Sequence, residues 1–153
     1  MQHKKEPVIY TLNKLPQFIQ MGVSDLWEQN KIPPEEMQKK NLVFTYFDGI
    51  YTGTVLHTDV FVHECAHYIR QGDGADELQA KDWWMKYMSD PEFRYQEEMI
   101  AYREQYQFIL RLAKGNRQTA FNAAKGLAME LSGPLYGNLR SFNTALGDIL
   151  RKV

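Results

Sequence analysis

Cysteine occurs once in these 153 residues, at Cys65, so no internal disulfide can form and a fold built on disulfide staples is excluded. No run of about 18 apolar residues occurs either, which leaves no candidate for an apolar membrane-spanning helix. Charge of one sign is lacking too. Lys and Arg number 18 against 19 Asp and Glu, a net charge of -1, and the two signs alternate along most of the chain. A nucleic-acid partner held by its phosphates calls for a basic face that this balance does not supply. Gly and Pro gather into no linker and no segment repeats, so one domain spanning 1–153 is expected. The segment Met1–Pro7 starts basic but is followed by no apolar run; this predicts no signal peptide and a cytoplasmic location.

What is present divides into three stretches. From Val8 to Lys40 the pattern predicts short helices broken at Pro16, Gly22 and Pro33-Pro34, with Ser24 as an N-cap and Glu35-Glu36 in a first turn. Two runs rich in β-branched and aromatic residues, 42–47 and 50–56, flank Asp48-Gly49, which predicts an antiparallel hairpin with Gly supplying the positive φ of its turn. Helices then follow at about 59–71, capped by Thr58 or Asp59 and stopped by Gly72-Asp73-Gly74, and at about 75–88, 92–114, 116–131 and 138–152. The expected fold is α+β and mostly helical, with a small sheet before the helix of main interest. Residues 42–114 form its core, with helical extensions at 8–40 and 116–152.

That helix carries His63-Glu64-Cys65-Ala66-His67, an H-E-x-x-H. Residues four apart lie one turn above each other, so both imidazoles can hold one metal ion while Glu64 stands beside the open position as a general base. With only four histidines in the chain, the bare motif arises by chance about once in a hundred such sequences. Two imidazoles suit zinc, one ion per chain, and with a carboxylate they also suit iron, cobalt or manganese. A third ligand is required. Positions 70 and 73 are Arg and Asp, so a third histidine in the extended motif is absent. A downstream carboxylate is the remaining common solution, and Glu97-Glu98 supplies two that point about 100° apart. Glu98 is preferred because Ala101, one turn later, permits close helix packing where Ile100 after Glu97 does not; Glu97 is the alternative ligand.

The hairpin, the H-E-x-x-H helix and Glu98-Met99-Ile100-Ala101 resemble the gluzincin type of zincin metallopeptidase in its small single-domain form. The resemblance implies a zincin-like fold, His63, His67 and Glu98 as zinc ligands, Glu64 as general base, and the strand before the helix as the edge that receives a peptide. It extends weakly to prophage and phage-encoded members, which would allow a virion-associated location. One departure is Tyr102, where several such families carry an acidic residue that orients a histidine; Asp59 or a backbone carbonyl is then the expected partner of the imidazole.

Other residues carry weaker signals. His57 can approach the metal or an oxyanion, although most histidines at such junctions are structural. Tyr102, Arg103, Tyr136 and Arg140 are candidate oxyanion donors. Cys65 is expected to face the core as an inert thiol. Trp83, Trp84, Tyr87 and Met88, with Phe93, Tyr95, Tyr102, Tyr106 and Phe108, are expected to pack in the core or to offer an aromatic surface to a partner chain or homo-oligomer. The function expected is zinc-dependent hydrolysis of a protein or peptide substrate. The alternative is a metal-binding structural or assembly protein without peptidase activity, such as a particle component.

Overall fold

A computed structural model describes residues 5–151. Met1–Lys4 of the basic start, and Lys152 at the expected end of the last helix, lie outside the described residues. The fold is α+β and mostly helical, with a three-stranded mixed sheet. The antiparallel hairpin forms, β2 (Val43–Tyr46) against β3 (Gly49–Thr52), with Thr45 opposite Ile50 and Tyr46 opposite Gly49, but β3 stops at Thr52 and leaves 53–56 of the expected run outside the sheet. The sheet is larger than the hairpin, however. Val8–Thr11 is a strand, β1, paired parallel to β3 in the order β1-β3-β2, where a helical segment was expected. Val8-Ile9-Tyr10-Thr11 is a β-favouring run, and its partner strand lies some forty residues on, beyond the reach of a local pattern.

The hairpin turn also differs from expectation. Phe47 takes the positive φ, 52°, and Gly49 does not. Gly49 is needed for space: a Cβ there would stand 2.2 Å from the Tyr10 ring and 2.8 Å from the Val8 carbonyl oxygen. The parallel β1 strand thus passes directly over Gly49.

Helix α1 (Gln17–Gln29) runs through Gly22 and Ser24, so neither breaks nor caps it. Gly22 faces Met88, whose sulfur occupies the space a side chain would need, and this close contact replaces the break. Helix α2 (Pro34–Gln38) starts on its prolines with Glu35 and Glu36 in the first turn, as expected. Helix α3 (Thr58–Arg70) has His57 at its N-cap in place of Thr58 or Asp59. It ends at a reversal in which Gly72, Asp73 and Gly74 all have positive φ. Helices α4 (Glu77–Ser89), α5 (Pro91–Leu112), α6 (Arg117–Leu131) and α7 (Phe142–Leu150) start on Asp76, Asp90, Asn116 and Ser141, whose side chains each accept a backbone N–H of the first turn. A 3₁₀ turn, Pro134–Tyr136, joins α6 to α7.

Two cores flank α5. On one side, Tyr95, Tyr102 and Tyr106 pack against Ala120, Ala124, Ala128 and Leu131 of α6 and Ala145 and Ile149 of α7. The alanines recur every four residues and form a flat stripe that lets α6 lie close. On the other side, Ile19 and Val23 of α1 meet Tyr46, Tyr51, Ala80, Trp83, Trp84 and Tyr87. Helix α3 packs along α5 between these cores, with Ala66 and Ala101 both buried. The two alanines keep the axes close enough for short polar side chains to meet between them.

Gly49→Ala is expected to lower stability by about 1–3 kcal/mol, because either the Tyr10 ring or the β1–β3 pairing has to move. Urea denaturation measures this; an unchanged midpoint would contradict the close approach of β1.

Candidate metal centre

Helix α3 has a narrow polar stripe on its inner side. His63, Glu64 and His67 are all buried, as is Glu98 on the facing side of α5. His67 Nε2 lies 2.7 Å from Glu98 Oε1, and His63 Nε2 lies 3.6 Å from Glu98 Oε2. One donor atom from each of the three residues falls within 4.8 Å of the others, so the group can hold a metal ion. The donor set fits one in a second respect. Glu98 Oε2 is buried without a hydrogen-bond partner, although it is an acceptor in an interior where such atoms are almost always paired.

Electrostatics follow from the crowding. Burial acts to lower the His67 pKa, but the Glu98 carboxylate overrides it and holds this imidazole up at about 9. Burial likewise acts to raise Glu98, and His67 and His63 hold it well below the usual carboxylate range. Glu64 is not compensated in this way. Burial pushes its carboxyl up against the pull of both imidazoles, while Thr45 Oγ1 donates to Oε2 over 3.1 Å.

Glu97 is no ligand. It is buried with its carboxylate turned to the other flank, where it accepts from Trp83 Nε1 at 2.6 Å and from Arg70 Nε at 3.1 and 3.2 Å. The Trp83 ring then packs edge-on against His67, with centroids 5.4 Å apart. Glu97 therefore fixes the wall behind His67. Asp59 reaches His63 only through Gln105, which sits 3.0 Å from His63 Nδ1 and donates to Asp59 at 2.9 Å. The Tyr102 ring packs on His63, centroids 4.5 Å apart, and its hydroxyl lies 3.1 Å from that of Tyr136.

Several expected site residues lie elsewhere. His57 is exposed and is not part of the donor group. Arg103 donates to the Asp148 carbonyl, and Arg140 pairs with Glu92 and covers the Tyr95 ring, so both guanidinium groups serve packing and not an oxyanion. Cys65 is half-buried on the outer side of α3, beside Ile69, Ile100 and Glu104, and does not face the core. Burial still pushes its thiol up to about 11. Trp83, Trp84, Tyr87, Tyr95, Tyr102 and Tyr106 are buried and pack the interior.

Two cavities meet at this group. An inner one of about 80 Å³ is walled by Trp27, Phe44, Trp83, Trp84 and Tyr87. An outer one of about 410 Å³ is lined by Leu42, Val43, Val60, Leu127, Leu135 and Tyr136, and His63 and Glu64 border both. Gln71, buried at the end of α3, accepts from Phe47 N–H and donates to the Thr45 carbonyl, which also accepts from Trp84 Nε1. This pins the hairpin above Glu64. Gln105, Thr45 and Gln71 escaped the motif. Only Gln105 left a signal, since 98, 102 and 105 follow the i, i+4, i+7 stripe of one helical face.

No family model matches the chain, and no curated protein or solved structure matches it significantly.

Two outcomes are expected. Elemental analysis should find one metal equivalent in the wild type, none in His63→Ala and Glu98→Ala, and one in Glu97→Ala, whose cost is about 1–3 kcal/mol of stability from the stranded Trp83 and Arg70 donors. Metal retained in Glu98→Ala would reverse the assignment. The second concerns protons. With its folded pKa raised above the ordinary value near 6.5, His67 contributes stability to the metal-free protein that is complete below about pH 6.5 and lost as pH rises through about 9. A bound metal ion must displace that proton, so calorimetry in buffers of different ionisation heat should show proton release on zinc binding between those values, and no release near pH 7 would contradict the raised His67 pKa.

Proposed function

We propose that this protein is a zinc metallopeptidase of the gluzincin type. The observation that carries the reading is one arrangement: a second carboxylate, Glu64, buried beside the His63, His67 and Glu98 group and bordering a cavity open to solvent. Two histidines with a carboxylate suit zinc at a site that keeps a position open. Zinc held by these three residues would supply a Lewis acid that makes a water acidic near neutral pH and polarises a carbonyl.

The chain's own groups do the rest. Glu64 takes the proton of the attacking water and delivers it to the departing amine, and burial, by raising its pKa, suits it to carry that proton. Thr45 holds one Glu64 oxygen, leaving the other for the water. Tyr102 and Tyr136 share one hydrogen bond between two hydroxyls, so one O–H is left over to donate to the carbonyl oxygen as charge develops. Both hydroxyls stay protonated because burial holds their pKa values well above the ordinary one. A peptide in the outer cavity meets Leu42, Val60, Leu127 and Leu135, an apolar wall suited to apolar side chains.

A second reading, a metal site that serves stability or assembly, draws on one observation. The outer edge of β2 at Thr45 is already taken by Gln71 and Trp84, which leaves Val43 as the open residue for strand addition. The two readings diverge at Glu64. Glu64→Gln should keep zinc and fold and lose about 10²–10⁴-fold in cleavage of an unstructured protein substrate such as casein or of a peptide library. Cleavage undiminished in that variant, or absent from the zinc-loaded wild type, would contradict the peptidase and favour the structural role.

A further inference from the structure

Gln105 and Asp59 have no task in the reaction just described, yet they are tied to one of its ligands. Gln105 stands on α5 two turns beyond Glu98 and is buried. Its Oε1 lies 3.0 Å from His63 Nδ1, and its Nε2 donates over 2.9 Å to Asp59 Oδ2, in the first turn of α3. The chain of contacts leaves α3 at Asp59, crosses to α5 and returns to α3 at His63.

Donor and acceptor chemistry orders this chain. An ionised carboxylate only accepts, so the amide must turn its NH₂ group to Asp59. Its carbonyl oxygen is thereby turned to His63, and because that oxygen also only accepts, Nδ1 must be the protonated nitrogen. A neutral imidazole carries one proton, so the lone pair falls on Nε2. Nε2 is the atom that lies toward Glu98, at 3.6 Å. His67 has no such relay, since its Nδ1 is buried without a partner and its orientation comes from Glu98 on the other nitrogen.

We infer that Asp59 and Gln105 are a positioning pair that selects the Nδ1–H tautomer of His63 and presets its Nε2 as a metal donor. Asp59 acts at a distance, by forbidding the flipped amide. The inference rests on the metal-site reading and is independent of whether the site cleaves peptides.

The test uses the full chain and zinc alone. In zinc-loaded wild type, nitrogen-15 NMR should show His63 with a proton on Nδ1 that exchanges slowly with water. Gln105→Leu should expose that proton to exchange and weaken zinc binding about 10–100-fold in competition with a chromophoric chelator. The decisive variant is the double exchange Asp59→Asn with Gln105→Glu. There the asparagine amide donates to the new carboxylate, which still accepts from Nδ1–H, so affinity should return to within about threefold of wild type. Metal on Nδ1 of His63, or a double variant no tighter than Gln105→Leu, overturns the inference. If Gln105→Leu does not fold, the wild-type spectrum and the double variant still decide. Zinc bound with the expected tautomer but without peptide cleavage would defeat the peptidase reading and leave this one standing.

Discussion

A carboxylate removed from water needs a compensating charge, and for Glu98 the imidazole of His67, 2.7 Å away and held protonated, is the nearest. Much of the fold can be understood from that requirement. Helix α5 must lie close enough to α3 for a glutamate to reach two imidazoles, which Ala66 and Ala101 permit. The alanine stripe of α6 closes α5 from behind, and Trp83, held by Glu97, closes the flank at His67. Paired charges in an interior stabilise little by themselves, because desolvation opposes the attraction. A bound cation would change this balance, since it would give Glu98 Oε2 the partner it lacks. The site is thus a place where the fold carries a cost that a ligand removes, which is a common property of functional centres.

The sheet has a related task. It places β2 across the open side of α3, and Gln71 and Trp84 anchor its edge at Thr45 so that the Thr45 hydroxyl meets Glu64. Under the peptidase proposal rigidity there matters, because a general base loses efficiency if its carboxylate swings. The opposite wall is built from the 3₁₀ turn at Tyr136 and from Leu127 of α6, so the cavity opens between elements that share no helix.

Local signals explain what was readable from the residues alone. His63, Glu64 and His67 lie within five positions on one helix, and helical periodicity is enough to align them. Glu98 required one more step, the size of the residue one turn on, and Ala101 proved to be fully buried where α5 meets α3. Non-local partners were not legible. The strand at Val8–Thr11 exists because β3 lies beside it, and nothing within eight residues announces a parallel pairing. The positive φ of Phe47 reversed the role expected for Gly49, because the need for space under Tyr10 outweighed the usual turn preference. Arg103 and Arg140 show the same limit from the other direction: a guanidinium is a plausible anion donor in any sequence, and only its neighbours, Asp148 and Glu92, reveal that it is engaged.

The central claim is a metal ion held by two imidazole nitrogens and a carboxylate in the interior between α3 and α5. X-ray absorption at the zinc edge on the zinc-loaded protein tests it directly. The expected spectrum has a shell of nitrogen and oxygen only, at about 2.0–2.2 Å, with the multiple scattering of two imidazoles. A sulfur shell at about 2.3 Å, which would place the metal at Cys65 on the outer face of α3, or the scattering of a single imidazole, would contradict it.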